Sequence, residues 1–220
     1  MPSIERDGDV FLLDLGDGEN RFNGAWLEQV EECLDEVEGA APCALLTRAR
    51  GKIWSNGLDL EWMAGQGEGA MSFLGEVHRL LARVLELGVP TVAAIQGHAF
   101  AAGAMLALAH DERVMRADRG FFCLPEVDIR IPFTPGMNAL ITARLPARSA
   151  HEAMTTGRRY GGSDALLAGI VEAAVAEAEV LPTALARAAE LVGKDPETLR
   201  TIKQRLYAGP LALLREAELG

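Results

Sequence analysis

An α/β fold is what the chain predicts, from two observations. Short apolar runs of strand length alternate with longer segments whose apolar residues recur at helical spacing. The chain is also long and apolar enough to bury both kinds of element. Its 220 residues fit one domain, or a domain with a short appendage. Of these, 49% are hydrophobic and only 5% aromatic, so the core must be aliphatic and alanine-rich. Strands that alternate with helices are expected to connect through right-handed crossovers.

Taken in order, Val10-Phe11-Leu12-Leu13-Asp14-Leu15 reads as a strand closed by Gly16-Asp17-Gly18. Asn23 is an N-cap for a helix from Gly24 to Glu38, with Trp26, Val30, Leu34 and Val37 on one face. Cys43 to Thr47 is a second strand. Met71 to Leu87 carries Phe73, Leu74, Val77, Leu80, Leu81 and Val84 at helical spacing. Val92 to Ile95 is a buried strand leading into a helix of small residues, Ala104 to Ala109. Arg113 to Met115 and Phe121 to Cys123 are two further short strands. Pro146 begins another helix, Gly161-Gly162 breaks the chain, and from Ala178 the segment is helical. The exception is a break at Gly193-Lys194-Asp195-Pro196, where Asp195 is an N-cap with proline at the first helical position.

Composition excludes several function classes. A net charge of −11 with no basic stripe argues against nucleic acid. No apolar run reaches the length of a bilayer span, and the N-terminus lacks a signal-like apolar region, so no membrane segment is expected. Cys33, Cys43 and Cys123 have apolar surroundings and no CxxC spacing, which fits reduced thiols and a cytoplasmic location. His78, His110 and His151 show no metal-ligand spacing, so no metal is expected.

Two segments carry the chemistry: residues 51–60, GKIWSNGLDL, and residues 90–103, PTVAAIQGHAFAAG. Each runs from a strand-like stretch into a turn of small residues, and the second continues as a helix. Small side chains let a ligand approach the main chain, and a helix start leaves N–H groups without intrahelical partners. One donor from each segment would grip a single oxygen as it becomes negative.

These segments resemble those of the crotonase family, the enoyl-CoA hydratases and isomerases. The motif of an aromatic, a small residue, any residue, Gly, any residue, Asp and Leu reads here Trp54-Ser55-Asn56-Gly57-Leu58-Asp59-Leu60. The similarity extends to Leu124-Pro125-Glu126 and Ala168-Gly169-Ile170-Val171, so it covers most of the chain. It implies a spiral of repeated strand-strand-helix (ββα) units over residues 1–190. A C-terminal helical region, 191–220, would follow and serve trimerisation, as a homotrimer or dimer of trimers. The last helix of many relatives is expected to be short or absent.

The resemblance also implies roles. The backbone N–H groups of Ser55 and Ala102 would form an oxyanion hole for a thioester carbonyl, and Glu126 would be the catalytic acid/base. Substrate contacts would come from Arg21, Asn56, Gly57, Leu58, Trp62, Met63, Gly97, Met105 and Phe133, with Met137 as a further acyl-pocket wall. Arg21 either meets a phosphate of coenzyme A or is a solvated arginine. His98 either touches the ligand or is a satisfied local histidine. Asp59 is expected to hold its turn through side-chain hydrogen bonds.

Hydratases of the family carry a second glutamate where this chain has Met105, and a thioether neither takes nor gives a proton. Glu126 lies in an apolar setting, which raises a carboxyl pKa toward neutrality. One base and an oxyanion hole suffice for a Δ3,Δ2-enoyl-CoA isomerase, with coenzyme A as part of the substrate and no separate cofactor. The alternatives are a hydratase in which Glu61 or Asp128 supplies the missing acid, and a non-catalytic acyl-CoA-binding protein.

Overall fold

The computed structural model describes residues 1–216. The expected repeat is visible as successive turns of a spiral. Each turn runs through a long strand of one sheet, a short strand nearby, and then helix. The first turn is β2 (Val10–Asp14), β3 (Arg21–Phe22) and α1 (Gly24–Gly39), preceded by β1 (Ser3–Asp7), which pairs antiparallel with β2. The second comprises β4 (Ala44–Arg48), β5 (Ile53–Ser55), β6 (Gly57–Leu58), α2 (Leu60–Ala64) and α3 (Gly69–Leu85). The third is β7 (Thr91–Ile95), β8 (His98–Phe100) and α4 (Ala102–Ala109). The fourth contains β9 (Glu112–Arg116), β10 (Phe122–Cys123), α5 (Glu126–Ile129), α6 (Pro135–Arg144), α7 (Ala147–Thr156) and α8 (Gly162–Leu167). β11 (Ala173–Val175) closes the spiral, followed by α9 (Glu177–Leu191), α10 (Pro196–Leu206) and α11 (Ala208–Arg215).

The large sheet has the order β1-β2-β4-β7-β9-β11, parallel from β2 onward. Strands added in chain order on one edge are what a spiral produces; a doubly wound sheet would reverse direction. The short strands make a second parallel sheet, β10-β8-β5, and a β3-β6 pair. β2, β4 and β7 are buried on both faces, which explains their largely apolar runs, whereas β9 buries Arg113, paired with Glu172. Leu12, Leu46, Val92 and Val114 pack under Val180, Ala184 and Ala188 of α9. The opposite face carries the main core, including Phe11, Leu45, Ala93 and Met115.

Local signals read from the sequence hold. Asn23 caps α1 by accepting from Trp26 N at 3.0 Å, and Asp195 caps α10 by accepting from Thr198 N at 2.8 Å. α10 and α11 pack on the core of their own chain. The Lys203 ammonium, itself 4% exposed, donates to Asp111 Oδ2 at 2.6 Å and to the Val89 carbonyl at 3.1 Å. α11 lies against α3 and α6 so tightly that a Cβ on Gly136 would come within 3.0 Å of the Leu213 carbonyl. The end of the expected C-terminal region, 217–220, lies outside the described residues. Among those residues no helix is long and apolar enough to cross a membrane.

Candidate active site

The second sheet brings the two small-residue segments together. β5 pairs with β8, and its register shifts between Ile53 and Ser55, an irregularity that turns the strand locally out of the ladder. Asn20, in the left-handed region at φ 49°, clamps this bend by donating to the carbonyls of Ile53 and Trp54 at 3.2 and 3.0 Å. The Ser55 hydroxyl is committed to the turn: it donates to the Asn20 carbonyl at 2.8 Å and accepts from Gly57 N at 3.1 Å.

Glycines let β5–β6 touch the start of α4 main chain to main chain. A Cβ on Gly57, at φ 75°, would stand 2.7 Å from Ala102 N, and one on Gly103 would stand 2.6 Å from the Ser55 carbonyl. Ala101 precedes α4 at φ 51°, a sparsely populated conformation for a residue with a Cβ. Its own N–H bonds the Cys123 carbonyl at 3.0 Å, and the first bond of α4 runs from Met105 N to the Ala101 carbonyl. The Ala102 N–H therefore has no intrahelical acceptor, and the helix dipole favours negative charge in front of it.

β10 runs parallel to β8, pairing Cys123 with Phe100, so Leu124-Pro125-Glu126 emerges beside Ala101-Ala102. Glu126 is 6% exposed, and its Oε2 is buried with no hydrogen-bond partner among the described residues. Burial pushes its pKa from 4.5 up to about 7. Among the described residues it forms no ion pair with Arg130 or any other cation. Met105, 1% exposed, lines the same cavity.

Glu126 and Met105 face a cavity of about 620 Å³, lined largely by aliphatic and aromatic side chains. Ala102, Arg21, Asn56, Leu58, Met63, Phe133 and Met137 line it as the sequence predicts. Ser55 is not among its lining residues. Three expected contacts are corrected. Gly57 does not line the cavity, because it packs main chain to main chain against Phe100 and Ala102. Trp62 does not line the cavity: its ring packs edge-on to Phe73 at 4.7 Å and against Gly24, because successive helical residues face different ways and Met63 takes the inward position. Gly97 does not line it either. A Cβ there would fall 2.1 Å from the Lys52 carbonyl, so this glycine serves strand approach. Asp59 caps α2 by accepting from Trp62 N at 3.1 Å, as expected.

Sequence reading missed several walls, among them Leu74, Ile129, Ile131, Thr134, Phe100 and Arg159. Leu74 shows only the helical periodicity of any core residue, and nothing local singles out Arg159. A wider cleft of about 730 Å³ between α1 and α3 is lined chiefly by charged groups and shares no residue with this site.

A monotonic spiral of strand-strand-helix turns, with a buried acid facing a helix start across an apolar cavity, defines the crotonase class. A profile described as enoyl-CoA hydratase/isomerase matches residues 8–216. The peroxisomal enoyl-CoA delta isomerase 2 of Arabidopsis thaliana is 35% identical over 94% of this chain and 92% of its own length. Enoyl-CoA delta isomerase 3 of the same plant is 34% identical with the same coverage. The apo enoyl-CoA isomerase of Mycobacterium tuberculosis superposes with a TM-score of 0.90 at 25% identity, covering 98% of this chain and 95% of that one. The chain belongs to the enoyl-CoA hydratase/isomerase family.

Proposed function

We propose that the protein is a Δ3,Δ2-enoyl-CoA isomerase with Glu126 as its single acid/base. The observation that carries this reading is one buried carboxylate, poised near neutrality, in the same apolar cavity as Met105 and the helix start at Ala102. The Glu126 carboxylate takes a proton from C2 of a 3-enoyl thioester. The C–H electron pair moves into a dienolate whose oxygen accepts from the N–H groups of Ser55 and Ala102. Each such donor is worth roughly 3 kcal/mol in the transition state. The carboxylic acid then returns its proton to C4, leaving the double bond between C2 and C3. Met105 keeps the cavity apolar where hydration would need a second acid to hold water. The relatives named as delta isomerases support the same reading.

The hydratase alternative is less well supported. Neither Glu61 nor Asp128 lines the cavity, and the Asp128 carboxylate lies against Gly157. The deciding experiment follows 3-hexenoyl-CoA isomerisation and crotonyl-CoA hydration in parallel, with wild type and Glu126→Gln. Isomerisation that is abolished by the substitution is expected. Faster hydration than isomerisation supports the alternative, and turnover within a few-fold of wild type for Glu126→Gln removes the mechanism. A homotrimer or dimer of trimers belongs to the same proposal and is read by sedimentation.

A further inference from the structure

The cavity has a second polar region, away from Glu126. His98 is flanked by Phe100 and Phe121, with ring centroids 5.0 and 5.5 Å away. The Arg159 guanidinium stands 5.8 Å from the centre of the Phe100 ring. His98 Nδ1 is buried with no hydrogen-bond partner among the described residues. Burial, and then the nearby charges of Arg159 and Arg119, lower its pKa. Neither arginine forms an ion pair among the described residues, although most arginines of this acidic chain do. Arg159 and His98 both face the cavity.

The place of Arg159 relative to the sheet is informative. The order β10-β8-β5, with β6 pairing to β3, sets Arg21 beyond one edge. Tyr160 bridges Phe122 beyond the other edge and carries Arg159 with it. A thioester held between the edges would extend one end toward each. A guanidinium fork without a carboxylate partner matches phosphate and carboxylate oxygens.

We propose that Arg159, with His98 beside it, receives an anionic group of the substrate, either a phosphate of its nucleotide end or a carboxylate at the far end of its acyl chain. This rests on the acyl-thioester reading of the site. A charge-assisted contact of this kind corresponds to roughly ten- to hundredfold in affinity.

The test compares wild type with Arg159→Gln and Arg159→Lys on three substrates. They are 3-hexenoyl-CoA, its N-acetylcysteamine thioester, which lacks phosphates, and a 3-enoyl-CoA bearing a terminal carboxylate. If the anion is a phosphate, Arg159→Gln raises KM on both coenzyme A thioesters relative to the N-acetylcysteamine thioester. If it is the terminal carboxylate, only the third substrate suffers. In either case Arg159→Lys recovers part of the loss. An equal change in KM on all three substrates overturns the proposal. Calorimetric binding of hexanoyl-CoA, its N-acetylcysteamine thioester and adipoyl-CoA to the same variants gives the answer without turnover. Failure of the isomerase reading is thus told apart from failure of this one.

Discussion

Removing the Glu126 carboxylate from water holds its pKa at about 7 against an ordinary 4.5, and that shift has a thermodynamic sign. An acid whose pKa is raised on folding favours the folded state while protonated. The contribution is complete below pH 4.5 and is lost as pH rises through 7, by about 3 kcal/mol at 1.36 kcal/mol per unit. Glu126→Gln should therefore stabilise the protein by about 2–3 kcal/mol at pH 8, with the difference vanishing near pH 4. Urea denaturation at the two pH values measures this. The same substitution should cut isomerisation by about 10²-fold or more, and wild-type kcat/KM should rise through pH 7 and then level off. Met105 makes a contrasting prediction. Met105→Leu keeps volume and apolarity, so turnover should stay within a few-fold. Met105→Glu places a like charge beside the desolvated acid and should move the rise of the pH–rate profile upward. A loss in Met105→Leu as large as that in Glu126→Gln would give the thioether a role this chemistry does not provide.

The contact between β5 and the start of α4 has almost no tolerance. A Cβ on Gly103 would stand 2.7 Å from both Cβ and Oγ of Ser55, so Gly103→Ala must push the two backbones apart. Overpacking of this kind costs about 1–3 kcal/mol. Displaced donors should lower kcat on 3-hexenoyl-CoA by about 10²-fold. Gly75 in α3 is the control, because nothing lies within 4 Å of a Cβ there. Gly75→Ala should instead stabilise by about 0.5–1 kcal/mol and leave kcat unchanged. At the other end of the core, α10 is fastened by Lys203 to Asp111, which also accepts from Thr91 N at 2.8 Å. Lys203→Ala leaves that carboxylate facing a cavity without its cation and should cost about 3–5 kcal/mol in thermal or urea denaturation.

Across the whole molecule two buried groups titrate in opposition. His110 is fully buried: its Nδ1–H donates to the Leu106 carbonyl at 2.8 Å, and Nε2 lies 2.7 Å from Thr47 Oγ1. Burial lowers its pKa from 6.5 to about 4. A base depressed in this way contributes stability that is present above pH 6.5 and lost as pH falls toward 4, about 3 kcal/mol in all. Over the same range protonation of Glu126 is restoring a similar amount. Wild-type stability should therefore be nearly level between pH 7 and 5, whereas Glu126→Gln should lose about 2 kcal/mol over that interval. A parallel decline in both proteins would show that Glu126 is less buried than described, and no decline in Glu126→Gln would show the same of His110.

Local chemistry made part of this molecule legible before any folding. Asn23, Asp59 and Asp195 cap helices through contacts three residues away, and the buried parallel strands announce themselves as apolar runs. The two- and three-residue strands β3, β6 and β8 are too short for any periodicity, and β1 escaped notice because its residues are mostly exposed, whereas β10 was legible as the apolar run Phe121 to Cys123. Of the candidate site, residues 55, 102, 105 and 126 could be named only through the family resemblance that the motifs carry. Only the fold decides that Met63 rather than Trp62 turns inward, that Gly97 serves strand approach, and that Arg159 arrives from beyond β10. The reason is physical: a cap or an apolar run is satisfied by near neighbours in the chain, whereas a cavity wall is any surface that a distant segment happens to face.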